Sequence, residues 1–189
     1  MRLAVEAAAS IIDAEGVRAV TTRRIAAEIG YVPGTLYTHF RNLDEIFVYV
    51  NALTLKDLRL RCGSAVAGAG DANEALLALG AAYLAYAQEH PNRFELLLRR
   101  HLNENEAVPE FVQQNVDQLI ALVEAQLRRL EPDADAATME NRVRALWSGI
   151  HGTSALALPR QVFTNRWQSD QSILETLIER FLTAGARDV

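Results

Sequence analysis

The stretch TRRIAAEIGYVPGTLYTHF, from Thr22 to Phe40, restricts what this chain can fold into more than any other. Ile25 and Ile29 lie one helical turn apart, with Ala26 beside them and Gly30 closing the turn. A second short helix follows whose only obvious core residues are Leu36 and Phe40. An alanine at 26 lets a second helix cross close to the first, and a glycine at 30 accepts the positive-φ turn that bulkier residues resist. Counted from Thr22, the positions Ile25, Ala26, Ile29, Gly30, Leu36 and Phe40 all fall where a helix-turn-helix needs particular residues. The plainer alternative is an ordinary helical hairpin, which matches two or three such positions by chance but rarely six.

The rest of the chain supports an all-α fold. No stretch alternates apolar and polar long enough to be a strand, and the 3.6-residue period recurs throughout. The spacing predicts helices over about 2–15 (Leu3, Ala7 and Ile11 in line, stopped by Gly16), 21–29 (capped by Thr21) and 33–40. Asn42 with Glu45 reads as a capping box opening a helix to about Gly63, and Asp71 with Glu74 caps the next, which His90-Pro91 closes. Asn92 with Glu95 is expected to open FELLLRRHL, and Pro109 a long helix to about Leu130. The last two helices run over about 134–158, stopped by Pro159, and 169–184. The expected architecture is a three-helix helix-turn-helix domain over 1–45 and a six-helix body over 46–189.

Composition restricts function more than fold. The chain has 189 residues and a net charge of −5, which argues against a protein coated in nucleic acid. Residues 1–42 nevertheless carry five arginines against four acids, so a small domain can meet phosphate while the acidic body stays off it. The single cysteine, Cys62, has no disulfide or metal partner, and His39, His90, His101 and His151 show no metal-ligand spacing. No apolar run approaches the roughly 20 residues that cross a bilayer. A cytoplasmic protein without cofactor or metal is the expectation, and an enzyme would lack a nucleophile–base pair.

On the 33–40 helix, Leu36 and Phe40 point inward, leaving Gly34, Thr35, Tyr37, Thr38 and His39 around the rest of the circumference. Arg23 and Arg24 on the preceding helix and Arg41 just after flank this polar face. Water could satisfy it, but a polar helix between arginines on a helix-turn-helix suits the major groove of DNA. Val32-Pro33-Gly34 offers no side-chain cap, so the N–H groups of Gly34 and Thr35 are expected to be unsatisfied and open to a DNA phosphate. The helix has no Asn, Gln or Arg for bidentate base contacts. Thr35 and Thr38, with Tyr31, are left to meet base edges or thymine methyls.

TTRRIAAEIGYVPGTLYTHFRNLDEI resembles the DNA-binding domain of the tetracycline-repressor family of bacterial regulators, through I-A-x-x-x-G, G-T-L-Y-x-H-F and the acidic helix start that follows. The resemblance implies a homodimer that binds a near-palindromic operator in double-stranded DNA and whose body binds a releasing small molecule. Carried over by position, it implies phosphate contacts from Thr21 and Thr22, with Arg23 and Arg24 beside them. It also implies close approach at Pro33, Gly34 and Thr35, a phosphate-binding pair in Tyr37 and His39, and Thr38 on the groove side near Arg41. The chain departs from the family at Val32-Pro33, where a small hydroxyl residue and a lysine are common, and at Leu43, where many members carry lysine.

In the body, RALWSGIHGTSALAL resembles the W-x-x-x-H-G signature of one C-terminal type in the same family, and VNALTLKDL and RRHLNENEAVPEF are similar to that type too. By that resemblance the pocket lies among the central helices, with Tyr83, Tyr86, Phe94, Phe111, Trp147 and His151 as candidate lining. For each of them an ordinary core position is the plainer reading. Such a pocket suits a mostly apolar ligand with one hydrogen-bonding handle. In the last helix Ile173, Leu174, Leu177, Ile178, Phe181 and Leu182 form a stripe wider than one neighbour needs. It fits either a helix wedged inside its own subunit or a subunit interface, and the terminal position favours the interface. The expected function is a ligand-responsive repressor. The alternative is a helical interaction module of this fold without DNA binding.

Overall fold

The computed structural model describes residues 1–99, 107–158 and 169–185. Among them are nine α-helices and a 3-10 turn at Val17–Ala19, with no strand, so the all-α expectation holds. Residues grouped by contact form two units, Met1–Lys56 with His90–Asn115 and Asp57–Glu89 with Val116–Val189. A cut at residue 45 therefore does not follow the packing, because a later helix joins the N-terminal ones.

In the first unit, α1 (Arg2–Glu15) buries Ala4, Ala8, Ile11 and Ile12 and stops at Gly16, whose φ of 84° suits glycine. Leu3 is 53 % exposed rather than on the inward face. The hydroxyl of Thr21 accepts from Arg24 N–H at 3.1 Å, capping α2 (Thr22–Glu28) as expected. Gly30 takes φ 73°, the turn the sequence requires. The α-helical part of the next element, α3 (Pro33–Leu36), is one turn, shorter than the 33–40 span expected. Bonds from Thr38 N–H to the Thr35 carbonyl and from His39 N–H to the Leu36 carbonyl continue it as tighter turns, and Phe40 N–H closes an α-type bond on the same Leu36 carbonyl. Ile25, Ala26, Leu36 and Phe40, none more than 3 % exposed, share a core with α1 and Ile46, Phe47 and Val50 of α4 (Leu43–Ala67).

The Asn42 cap accepts from Glu45 N–H at 2.9 Å, but the Glu45 carboxylate reaches back to Arg41 N–H at 2.6 Å, not to Asn42. The helix α4 runs past the expected end near Gly63 to Ala67. The helix α6 (Pro91–Leu98) starts from His90, not from an Asn92 cap. Asn92 instead donates to the Asp13 carbonyl at 3.2 Å. Arg93, 7 % exposed, donates to the Thr54 hydroxyl at 3.1 Å and lies 3.7 Å from the Asp13 carboxylate. A buried guanidinium is tolerable only with such partners, so this bond set holds α6 to α1 and α4.

In the second unit, α5 (Ala72–Glu89), α8 (Ala136–Leu156) and α9 (Asp170–Gly185) pack on one another, with α7 (Glu110–Leu130) contributing buried Leu119, Val123 and Leu127. Two glycines permit the closeness. A Cβ on Gly80 would lie 2.6 Å from Ile178 Cδ1, and one on Gly149 would lie 2.9 Å from Leu177 Cδ2. Asp135 caps α8, accepting from Ala137 N–H and Thr138 N–H at 2.9 Å each. The stop at Pro159 and the middle of RRHLNENEAVPEF lie outside the described residues.

Candidate nucleic-acid interface and ligand site

The exposed face of the first unit is built by α2 and the 31–41 segment. Leu36 and Phe40 are 3 % and 2 % exposed, while Tyr31, Val32, Gly34, Tyr37, Thr38 and His39 are all exposed. Two inward anchors thus hold the segment and leave its other sides facing outward. The Thr22 hydroxyl lies 3.4 Å from the Tyr37 phenol, so residues fifteen apart in sequence form one polar notch. Thr21, Arg23 and Arg41 are exposed around it, whereas Pro33 and Thr35 are half-buried.

Three expected contributions change on this geometry. Arg24 is not a spare cation, because its guanidinium grips both carboxylate oxygens of Glu15 and holds that carboxyl below its ordinary pKa. Arg41 is 77 % exposed at its side chain but lies 3.4 Å from Glu45, a weak surface pair. The amide of Thr35 is not unsatisfied, since it donates to the Val32 carbonyl at 3.0 Å. In this single-turn helix, therefore, one of the two amides expected to be open to a phosphate is already engaged. No side chain caps Gly34, and a Cβ there would meet nothing within 4 Å.

In the second unit, the Tyr83 phenol lies 2.8 Å from His151 Nδ1. Trp147 stands edge-on to Tyr83 at 5.2 Å between ring centroids and nearly parallel to His151 at 6.4 Å. Burial pushes the phenol far up, with Cys62 adding to it, and burial lowers the imidazole. Both groups are therefore neutral at pH 7. The bond between them has the phenol donating when the imidazole proton sits on Nε2 and accepting when it sits on Nδ1. Cys62 is buried, with its thiol pushed up to about 12 by burial, which makes it a poor nucleophile.

The six expected lining residues do not form one group. Tyr83, Trp147 and His151 touch. Tyr86, one turn on, has the Arg61 guanidinium 6.0 Å from its ring centroid. Phe94 and Phe111 belong to the other unit, where Phe111 stacks on Tyr49 at 5.0 Å. The α9 stripe is likewise divided. Leu174 and Ile178, each 1 % exposed, pack beside Gly80 of α5, and Leu177 packs on Gly149 of α8. The wedged reading accounts for these side chains, while Ile173, Phe181 and Leu182 stay half-exposed.

Sequence reading missed two features. One is the Arg93–Asp13–Thr54 set, whose members are too far apart in sequence for any helical period to join. The other is a concavity of about 730 Å³ lined by Glu131, Thr138, Asn141, Arg142 and Phe181. There the Arg142 guanidinium lies 2.6 Å from Glu131 and 4.6 Å from the Phe181 ring centroid. Among the described residues, no cluster of His, Cys, Asp or Glu could hold a metal ion, and no helix is long and apolar enough to cross a membrane.

The family model for bacterial regulatory proteins of the tetR family matches residues 4–50, and that for a tetracyclin repressor-like C-terminal domain matches 76–181, a range containing Trp147 and His151. Solved structures are similar over nearly the whole chain. A protein of unknown function from a Rhodococcus species aligns with TM-score 0.77 at 17 % identity, over 97 % of this chain and 93 % of that one. The TetR family transcriptional regulator PfmR from Thermus thermophilus aligns with TM-score 0.66 at 22 % identity, over 95 % and 97 %. The transcriptional regulator FadR from Bacillus subtilis, in complex with stearoyl-CoA, aligns with TM-score 0.72 at 13 % identity, over 96 % and 97 %. With both its helix-turn-helix and its C-terminal helices matched, the chain belongs to the tetracycline-repressor family of DNA-binding transcriptional regulators.

Proposed function

We propose that this regulator is a repressor that binds a near-palindromic operator as a homodimer and leaves it when a small molecule occupies the second unit. The observation that carries the DNA half is the exposed face of 31–41 over its two buried anchors, with the Thr22–Tyr37 notch at its edge. Thr21, Thr22, Tyr37 and His39 hold phosphate, with Arg23 and Arg41 adding charge. Retarded mobility of DNA from upstream of the gene, lost at high salt, tests it. Undisturbed mobility at low salt contradicts it and favours the interaction-module reading.

The ligand half rests on the Tyr83–Trp147–His151 group, where two aromatic rings pack with one neutral imidazole. That a transcriptional regulator of similar fold is found in complex with stearoyl-CoA supports an effector with a long apolar part. Dimerisation is assigned to the faces of α8 and α9 that their own subunit leaves exposed or half-exposed. These are Ala145, Ser148 and Leu156, all exposed, Gly152, beside which a Cβ meets nothing, and Ile173, Phe181 and Leu182. Three segments connect the units along the chain: α4 and α7, which each belong to both, and the step from α5 into α6, whose Arg93 holds Asp13 and Thr54. An effector acts by favouring the non-binding geometry through its differential affinity for the two states. Release of bound operator by an effector, with Tyr83→Phe weakening that release, supports the ligand site. Release unaffected by changes at Tyr83, Trp147 and His151 contradicts it.

A further inference from the structure

The tip of the DNA-facing segment is apolar where a base-reading surface ordinarily carries amide or guanidinium groups. Val32 is 69 % exposed, more than any other exposed large hydrophobic residue among those described, and Tyr31 beside it is 53 % exposed. Burying an isopropyl group of this kind is favourable, so its exposure in the free protein marks a surface that gains on meeting an apolar partner. Further along the segment, the Thr38 hydroxyl donates to the Thr35 carbonyl at 2.7 Å. Its proton is thereby spent on the helix itself, so toward a partner this exposed residue has an accepting oxygen and a methyl group but no donor. Nothing from Tyr31 to His39 can make a two-pronged hydrogen bond to a base edge, since the stretch YVPGTLYTH contains no Arg, Lys, Asn, Gln, Asp or Glu. Of the flanking guanidiniums, Arg24 is tied to Glu15, Arg23 stands on α2 outside the segment, and Arg41 lies beyond the last buried anchor. The one apolar group a base pair presents in the major groove is the C5 methyl of thymine.

We propose that this protein reads its operator chiefly through thymine methyl groups, with the Val32 side chain and the Thr38 methyl as the residues that detect them. The inference rests on the DNA-binding reading above and adds the chemistry by which that face chooses a sequence. Hydroxyls, phenol and imidazole around the tip fix the protein on the phosphates, and the apolar tip sets specificity. Discrimination then comes from burying methyl groups, so each position contributes modestly and selectivity accumulates over several thymines.

The test compares thymine with uracil in otherwise identical duplexes, using the full chain and an operator selected from random DNA. Uracil keeps every hydrogen-bonding group of thymine and lacks only the methyl. Replacing single thymines by deoxyuridine is expected to weaken binding about 3- to 10-fold at one or more positions in each half-site, the range for burying one methyl group. In Val32→Ala or Thr38→Ser, both exposed and so neutral to folding, the penalty at the corresponding position should shrink toward unity. Full uracil substitution that leaves affinity within about 2-fold overturns the proposal while leaving DNA binding intact. An undiminished uracil penalty in the Val32→Ala, Thr38→Ser double variant also overturns it. Failure of the wild-type chain to bind any duplex overturns the proposal and the DNA-binding reading together, which separates the two kinds of failure.

Discussion

The segments YVPGTLYTHF and WSGIHG are the two oddest in the chain, and they resolve in opposite ways. Both place aromatic, hydroxyl and imidazole groups on short helical stretches with few aliphatic residues. In the first, Tyr37, Thr38 and His39 are exposed and only Leu36 and Phe40 are spent on the core. In the second, the phenol of buried Tyr83 meets His151 Nδ1 at 2.8 Å, and Trp147 packs against both rings. One set of polar groups awaits a partner outside the molecule, and the other has found partners within its own unit. Similar residue types therefore imply different things depending on where the anchors lie.

That contrast can be attacked at its anchors first. Phe40→Ala removes a side chain 2 % exposed and edge-on to Tyr49, and should cost about 3–5 kcal/mol. Hydrogen exchange should show the loss confined to the first unit, and a spread into α5, α8 and α9 would break the two-unit description. A pair of glycines comes next. Gly80→Ala drives a Cβ into Ile178 and should cost about 1–3 kcal/mol, partly offset by better helix propensity. Gly152→Ala meets open space within the subunit, so its fold should hold or gain up to about 1 kcal/mol while dimerisation weakens. Equal costs at the two sites, read by urea denaturation, would contradict the packing.

The buried pair sets a smaller, pH-dependent effect. Burial lowers the His151 pKa below its ordinary 6.5, so on acidification the unfolded chain takes up a proton that the folded chain resists. Stability should be fully present above about pH 6.5 and fall as pH drops toward the folded pKa. His151→Gln should flatten that slope in denaturation curves between about pH 5 and 8, and Tyr83→Phe should cost about 1 kcal/mol at pH 7. An unchanged slope would mean that His151 does not resist protonation. The smallest change sharpens the exposed side. Glu15→Gln frees Arg24, and the salt dependence of operator binding should steepen by about one phosphate contact. An identical slope would show that Arg24 does not reach DNA even when released.

Much of the first unit was legible because its signals are local. The Thr21 cap, the positive φ at Gly30 and the anchors Ile25, Ala26, Leu36 and Phe40 all follow from spacing within one short stretch. What failed was pairing across helices. Glu15 is nine residues from Arg24, and Asp13 is eighty from Arg93, so no periodicity announces either contact. The α9 stripe could be read as a surface only while the glycines of α5 and α8 went unmatched to it. Once Gly80 receives Ile178 and Leu174 and Gly149 receives Leu177, half of the stripe is explained inside the subunit, and Ile173, Phe181 and Leu182 remain half-exposed. The aromatic list failed similarly, since composition groups Phe94 and Phe111 with Tyr83 but the fold puts them in another unit. The Trp147–His151 pair survived because residues four apart on one helix must share a face.

The central claim is that the exposed face of residues 31–41 recognises DNA by sequence. Selection of bound duplexes from a random pool tests it most directly, run in parallel with the wild-type chain and with Thr38→Asp. That substitution puts a like charge toward phosphate at an exposed site without touching the core. The account predicts that the wild-type chain enriches a near-palindromic sequence and that Thr38→Asp, folded equally well, enriches none. Enrichment of the same sequence by both proteins, or by neither, would contradict it.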